Sequence, residues 1–216
     1  MTTALFLTGD DWHPTATLRP LAELLFTADA WRVVFTEDPQ ELWRLDSAPD
    51  LFLSFKDPIE NDQIPTPVWC TKTWTDRLLT CAREHGTGVI LAHAAVTDLD
   101  ADHLLVREMI HATFIGHPEA CRVTLKPTRV HPVLEGVDTF IFPTPEEHYQ
   151  MEMPEEAGGT VIAQTVSSHG TQPGVWVSEY GESRICCVTP AHTTASLTCE
   201  PFVRILRNAI GWCCHE

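Results

Sequence analysis

The stretch Val89-Ile90-Leu91-Ala92-His93-Ala94-Ala95-Val96 decides the fold. Its first four residues are apolar in succession, so both faces of a strand here need cover, as in the centre of a parallel sheet. The whole run is eight residues long, against about 20 needed to cross a bilayer. It is therefore read as a buried strand, Val89–Ala92, that turns at His93. The neighbouring segments extend the pattern. Upstream, Ala4–Leu7, Trp31–Phe35 and Leu51–Phe55 are further short apolar strands. Between them lies a helix carrying Leu18, Leu21, Ala22 and Leu25 on one face, placed so that Pro20 falls in its first turn. A second begins at Asp38-Pro39-Gln40-Glu41, read as N-cap, N1 proline and acidic N3. A third opens at Thr73-Trp74-Thr75-Asp76 and ends at Gly86, with Trp74, Leu78, Cys81 and Ala82 inward. Strand–helix alternation of this kind gives an α/β fold, a parallel sheet with helices on both faces.

Downstream of Gly116 the texture changes to short strands parted by turns: Cys121–Leu125, Thr139–Phe142, Thr160–Thr165, Val175–Glu179 and Arg184–Val188. Tyr180-Gly181-Glu182-Ser183 reads as a hairpin turn, which makes the last two strands antiparallel. The amphipathic stripe Phe202, Ile205, Leu206, Ala209 and Ile210 closes the chain as a helix starting at Pro201. Asp57–Pro67 is Pro-rich and polar and reads as a loop. With no linker or internal repeat, 1–216 is expected to be a single domain.

Composition excludes several functions. The 216 residues hold 14 basic and 30 acidic side chains, a formal charge of −16 that repels phosphate backbones and anionic membranes. Neither a nucleic acid nor a membrane is expected as partner. The first ten residues, Met1-Thr-Thr-Ala-Leu-Phe-Leu-Thr-Gly-Asp10, lack a basic segment and read as a strand, not a secretory leader. On that ground a cytoplasmic setting is expected, with all eight cysteines as free thiols. Cys213-Cys214-His215 lacks the spacing of a structural zinc site.

In an open parallel sheet, ligands bind beyond the carboxyl ends of the strands. The polar residues there are Asp10, Asp11 and His13 after the first strand, Lys56 and Asp57 after the third, His93 after the fourth and His192 after the last. His117 follows the expected helix after strand four. His93 interrupts an apolar run, where a buried imidazole needs hydrogen-bond partners. Its strand-to-helix turn, Ala-His-Ala-Ala, holds no Cys or Ser, so covalent acyl chemistry from that position is excluded. Ser167-Ser168-His169 reads as a turn between late strands.

The order of motifs resembles the ThuA family, named for trehalose utilisation: Trp12-His13-Pro14, Val89-Ile-Leu-Ala-His93, Phe114-Ile-Gly-His117-Pro118, His131-Pro-Val-Leu-Glu-Gly136, Glu146-Glu147-His148-Tyr149, Pro173-Gly-Val-Trp176-Val-Ser-Glu179-Tyr180-Gly181, and Ala191-His192 before the closing helix. The chain departs from it at Ala94, commonly glycine, and at Ala191-His192-Thr193, often Gly-His-Asp. The resemblance implies a flavodoxin-like, class I glutamine amidotransferase-like α/β fold, a mostly parallel sheet with late antiparallel strands. It also implies work on disaccharides or 3-keto-glycosides supplied by a partner sugar 3-dehydrogenase. Beside a ketone, a ring C–H is acidic enough for an imidazole or carboxylate to remove, which serves elimination, isomerisation or hydrolysis. His93, His117, Glu147 and His192 are the expected acid–base groups and are expected to share one pocket; Asp11, Trp12, His13, Trp176 and Glu179 are expected to bind the sugar. No definite cofactor is expected. A divalent metal is compatible with the His and Glu donors, and a homo-oligomer with the sequence. The competing expectation is a non-catalytic sugar-binding or regulatory module, since a fold does not prove a reaction. Glutaminase activity is not expected.

Overall fold

A computed structural model describes residues 1–27, 29–59, 63, 67, 69–156 and 158–215. Its first half alternates as the apolar runs require: β1 (Thr2–Leu7), α1 (Thr15–Leu25), β2 (Trp31–Thr36), α2 (Glu41–Arg44), β3 (Leu51–Ser54), α3 (Lys72–His85) and β4 (Gly88–Ala92). One 3-10 turn (His93–Val96) and one π turn (Val106–Ile110) follow, where sequence reasoning placed a regular helix. Then come β5 (Thr113–Gly116), β6 (Thr124–Pro127), β7 (Phe140–Ile141), β8 (Gln150–Glu152), β9 (Thr160–Ser167), β10 (Gly170–Tyr180), β11 (Ser183–Val188), α4 (Thr194–Leu197) and α5 (Glu200–Cys213).

Nine strands form one sheet in the order β2-β1-β3-β4-β11-β10-β9-β6-β7. The first five run parallel, since β11 returns alongside β4 with Val188 opposite Ala92. The remaining strands are antiparallel, and β10 and β11 join at the expected hairpin. β5 and β8 pair separately. Side chains alternate across the sheet. Ala4 and Phe6 pack under α1 and α5 against Leu18, Leu21, Phe202 and Leu206. Leu5 and Leu7 pack under α3 with Trp74, Leu78 and Ala82. Burial of both faces is what the unbroken apolar strands encode, each large side chain contributing about 1.5–3 kcal/mol. α3 ends at the expected glycine cap, but its start is capped by Thr71, two residues before the expected opening at Thr73. The Thr71 hydroxyl accepts the Trp74 N–H, and Gly86 takes the left-handed conformation (φ 67°).

Two other helix starts also differ from expectation. α1 already begins at Thr15, because Pro14 O accepts the Thr17 N–H, so Pro20 lies beyond the first turn. The helix therefore lacks the one hydrogen bond that Pro20 cannot donate. α2 is a single turn starting at Glu41. Asp38 accepts from Gln40 N through Oδ1 and from Glu41 N through its carbonyl, so it closes a turn before the helix. Of the expected loop at Asp57–Pro67, residues 60–62 and 64–66 lie outside the described residues. Among the described residues, all eight cysteines are free, and no helix is long and apolar enough to cross a membrane.

Candidate functional site

β4 delivers His93 at a sharp turn. Its φ of 51° is left-handed, a conformation costing a non-glycine residue about 1–3 kcal/mol and typical of functional turns. The ring is buried and stacks on Tyr149 at 4.5 Å and 18°. Nδ1 lies 2.8 Å from Thr189 O, which can only accept, so Nδ1 carries the hydrogen and Nε2 a lone pair. Around that Nε2 stand Tyr149 Oη at 3.1 Å, His192 Nδ1 at 3.1 Å and Glu147 Oε2 at 3.4 Å.

Each neighbour has its own scaffold. After β11, Ala191 adopts φ 83°, and the Ala191 and His192 N–H groups both donate to Glu146 Oε2 (3.1 and 2.7 Å). Glu146 is wholly buried and anchored by its main-chain bridge to Cys121. After β1, Asp10 Oδ1 accepts from Trp12 N (2.9 Å), His13 N and His13 Nδ1 (both 2.8 Å). That turns His13 Nε2 inward, where it is buried and has no hydrogen-bond partner. The rings of His93 and His192 lie 4.9 and 5.0 Å from that of His13. One ligand atom each from His13, His93, Glu147 and His192 falls within 4.8 Å of all the others. A buried nitrogen without a partner costs about 1–3 kcal/mol, unless something binds it. Three imidazoles and a carboxylate, two of the rings oriented by Asp10 and by Thr189 O, are a donor set that fits a divalent cation such as zinc.

The cluster opens into a cavity of about 270 Å³ whose walls include Trp12, Asp57, Phe114, His117, Glu147 and Tyr149. Trp12 is 37% exposed at its rim. His117, on the turn after β5, points Nε2 toward Glu147 Oε2 at 3.9 Å while Nδ1 donates to Pro118 O. A hollow of similar size beside α1 and β2, lined by Arg19, Phe26, Trp31 and Phe35, has no such cluster among the described residues.

The electrostatics follow from burial and contact. Desolvation pushes His93 down to about 4, so the ring is neutral at pH 7. Burial works to raise the Glu147 carboxyl, but the His192 imidazole beside it, by hydrogen bond and charge, outweighs that and holds it well below the carboxylate range. The Glu147 carboxylate in turn raises His192. Burial, reinforced by the carboxylates of Asp98 and Asp10, pushes Asp57 up to about 7.

His93, His117, Glu147 and His192 thus converge as expected, and His13 and Trp12 join them. The other three expected residues do not. Asp11 is exposed and off the cavity wall. Trp176 is fully buried in the core, its Nε1–H donating to Ile110 O at 2.6 Å. Glu179 is exposed near the end of β10, which runs antiparallel and so finishes at the sheet edge opposite the site. Sequence reasoning gave no role to Tyr149, to Glu146 or to Asp57. The signal for the first two was the unbroken polar run Glu146–Tyr149, and for Asp57 its place just past β3.

The fold is similar to solved structures at low identity. A ThuA-like protein from Parabacteroides merdae superposes with a TM-score of 0.74 at 16% identity, over 99% of this chain and 90% of that one. One from Bacteroides uniformis gives 0.73 at 16%, over 98% and 90%. The carbohydrate deacetylase Agd3 gives 0.62 at 9%, over 96% of this chain and 32% of that one. No curated protein matches the sequence. Residues 58–213 match the family model described as trehalose utilisation, a span that runs from the loop after β3 to the end of α5 and takes in His93, His117, Glu147 and His192; the chain belongs to the ThuA family.

Proposed function

We propose that this protein is a carbohydrate-active enzyme that moves protons on a keto-sugar or 3-keto-glycoside, with a divalent cation held by His13, His93, Glu147 and His192. One observation carries the reading. The buried, unpartnered Nε2 of His13 faces three other donors at the floor of a cavity rimmed by an exposed tryptophan. When bound, the cation supplies positive charge next to a substrate oxygen, which acidifies the adjoining C–H. The chain does the rest. Trp12 offers a flat apolar surface for a sugar face at the rim. His117, on the cavity wall and outside the four-donor cluster, takes the proton from the carbon beside the carbonyl. Tyr149 and Phe114 close the wall and keep water from the reacting carbon. The family's link to trehalose utilisation supports a disaccharide or its 3-keto derivative, made by a partner sugar 3-dehydrogenase. The free thiols and acidic surface support work in the cytoplasm on a small molecule, without nucleic acid or membrane.

The test is to incubate the purified chain with a panel of 3-keto-glycosides, with and without added zinc or manganese, and follow product by NMR. Metal-dependent turnover is the expected result. Retention of sugar without turnover under every condition would instead identify a binding or regulatory module.

A further inference from the structure

Tyr149 has one hydroxyl hydrogen and no well-aligned acceptor for it. The residue is 4% exposed, and the one hydrogen-bond contact of Oη among the described residues is His93 Nε2, at 3.1 Å. The two rings lie 4.5 Å apart and only 18° from parallel. Stacking of this kind sets Oη over the imidazole face, whereas the Nε2 lone pair points outward in the plane of its ring. Oη therefore leaves that lone pair to the four-donor cluster and makes only a weak hydrogen bond itself. A buried hydroxyl in that state is costly to the fold unless an acceptor enters beside it.

The ring is fixed where such an acceptor would arrive. Tyr149 lines the same cavity as His117 and Glu147. Phe114 packs on its ring at 4.7 Å, and His117 lies against it at 5.7 Å and 25°. Oη stands as close to His93 Nε2 as His192 Nδ1 does, 3.1 Å in both cases. An oxygen that enters from the cavity toward the His13, His93, Glu147 and His192 donors thus arrives beside a phenol hydroxyl whose hydrogen is available.

We propose that Tyr149 is a catalytic residue, a neutral hydrogen-bond donor to the carbonyl oxygen of the sugar. This rests on the keto-sugar reading above. When His117 takes the proton from the carbon beside the carbonyl, the C–H pair becomes a carbon–carbon double bond and the carbonyl π pair moves onto oxygen. Negative charge grows on that oxygen during the step. A donor already in place there stabilises the transition state more than the ground state. Tyr149 keeps its own proton throughout, and His117 later returns the one it took to carbon or to a departing oxygen.

Tyr149→Phe removes the hydroxyl and keeps the stacked ring. On a 3-keto-glucoside its kcat should fall by about 100-fold, while KM and zinc affinity stay near the wild-type values. Acetohydroxamate, which presents an anionic oxygen to a cation, gives a readout apart from turnover. By isothermal titration the zinc-loaded wild type should bind it about 10-fold more tightly than Tyr149→Phe. Equal binding of the probe, or a variant with wild-type kcat, overturns the assignment. So does a variant that loses zinc, because the hydroxyl would then be a support for His93. If the wild type turns over no keto-sugar but the probe still separates the two proteins, the keto-sugar reading falls and the hydroxyl remains a donor to a bound oxygen. If zinc does not bind the wild type, both readings fall together. Should Tyr149→Phe not fold, fluorine NMR of the wild type decides. Tyr149 and Tyr180 are the only tyrosines, so labelling with 3-fluorotyrosine allows each to be followed, with Tyr180→Phe for assignment. Acetohydroxamate should shift the Tyr149 signal and leave that of Tyr180 in place; an unmoved Tyr149 signal overturns the proposal.

Discussion

Two buried histidines, His148 and His13, have opposite characters. His148 is 1% exposed, and both its ring nitrogens are satisfied: Nδ1 lies 2.7 Å from Ser167 Oγ and Nε2 3.2 Å from Thr165 Oγ1. It closes a hydrogen-bond network on β9. His13 is almost as buried, yet its Nε2 meets only other ligand-type atoms. A satisfied imidazole holds the fold together, whereas an unsatisfied one facing further donors is shaped for something to bind. The chain passes from one environment to the other within four residues. Glu147 and Tyr149 line the cavity. Glu146 and His148 turn the other way, the first to the Ala191–His192 turn, the second to β9. Such alternation is the ordinary geometry of extended backbone, used here to join a binding site to its support.

That contrast breaks if both sites respond alike. Isothermal titration with zinc should show one site in the wild type, weakened 100-fold or more by His13→Ala or His93→Ala. With His148→Ala the titration should be unchanged, and an equal loss there would erase the distinction. Asp10→Asn, which removes the orienting charge and one of the two oxygens that accept N–H groups, should weaken zinc 10- to 100-fold.

Stability should sort in the reverse order. His148→Ala removes a buried ring and leaves two hydroxyls short of a partner, costing about 2–3 kcal/mol in denaturant melts. His13→Ala also removes a partnerless nitrogen, so its cost should stay within about 1 kcal/mol. Glu146→Gln replaces a carboxylate that accepts two N–H groups at a strained turn. It should cost about 1–2 kcal/mol and lower zinc affinity by misplacing His192.

The smallest effect, and the sharpest, is in pH. His93 moves from 6.5 unfolded to about 4 folded, so between those values the unfolded chain binds the extra proton and stability rises with pH. Asp57 moves from 3.8 to about 7, so over the same range the folded chain holds the extra proton and stability falls with pH. The two slopes oppose each other. Between pH 4.5 and 6.5, Asp57→Asn should make the slope more positive by about 1.4 kcal/mol per pH unit, and His93→Gln more negative by as much. Slopes unchanged from the wild type would show that neither group titrates as its surroundings dictate.

Much of the scaffold was legible. β1 to β4 and α3 lie within two residues of their apolar runs and caps, because both signals are local. The late strands were found, with shifted ends: Cys121–Leu125 became Thr124–Pro127, and Thr160–Thr165 extends to Ser167. There, pairing partners rather than local pattern choose the ends. β5 and β8 went unseen since each is short and finds its partner only in three dimensions. Of the site, the histidines past the strand ends were visible because the carboxyl edge of a parallel sheet gathers whatever follows each strand. Trp176 and Glu179, expected from the family-like motif Pro173–Gly181, lie on antiparallel β10, the first buried in the core and the second at the opposite sheet edge.

By itself the sequence determined the alternation of elements, the burial of both sheet faces and the set of polar residues that could meet at one edge. Those follow from periodicity, caps and turn residues, which act over a few positions along the chain. Tertiary structure alone decided which of them meet. His93 and His192 touch because β11 runs parallel beside β4, 99 positions apart in sequence. His13 turns inward because Asp10 holds its other nitrogen. Asp57 is fixed on the cavity wall because Asp10 Oδ2 accepts its N–H and the Thr97 hydroxyl donates to its Oδ2. Each depends on the direction of a lone pair or hydrogen across space, and no spacing along the chain encodes that.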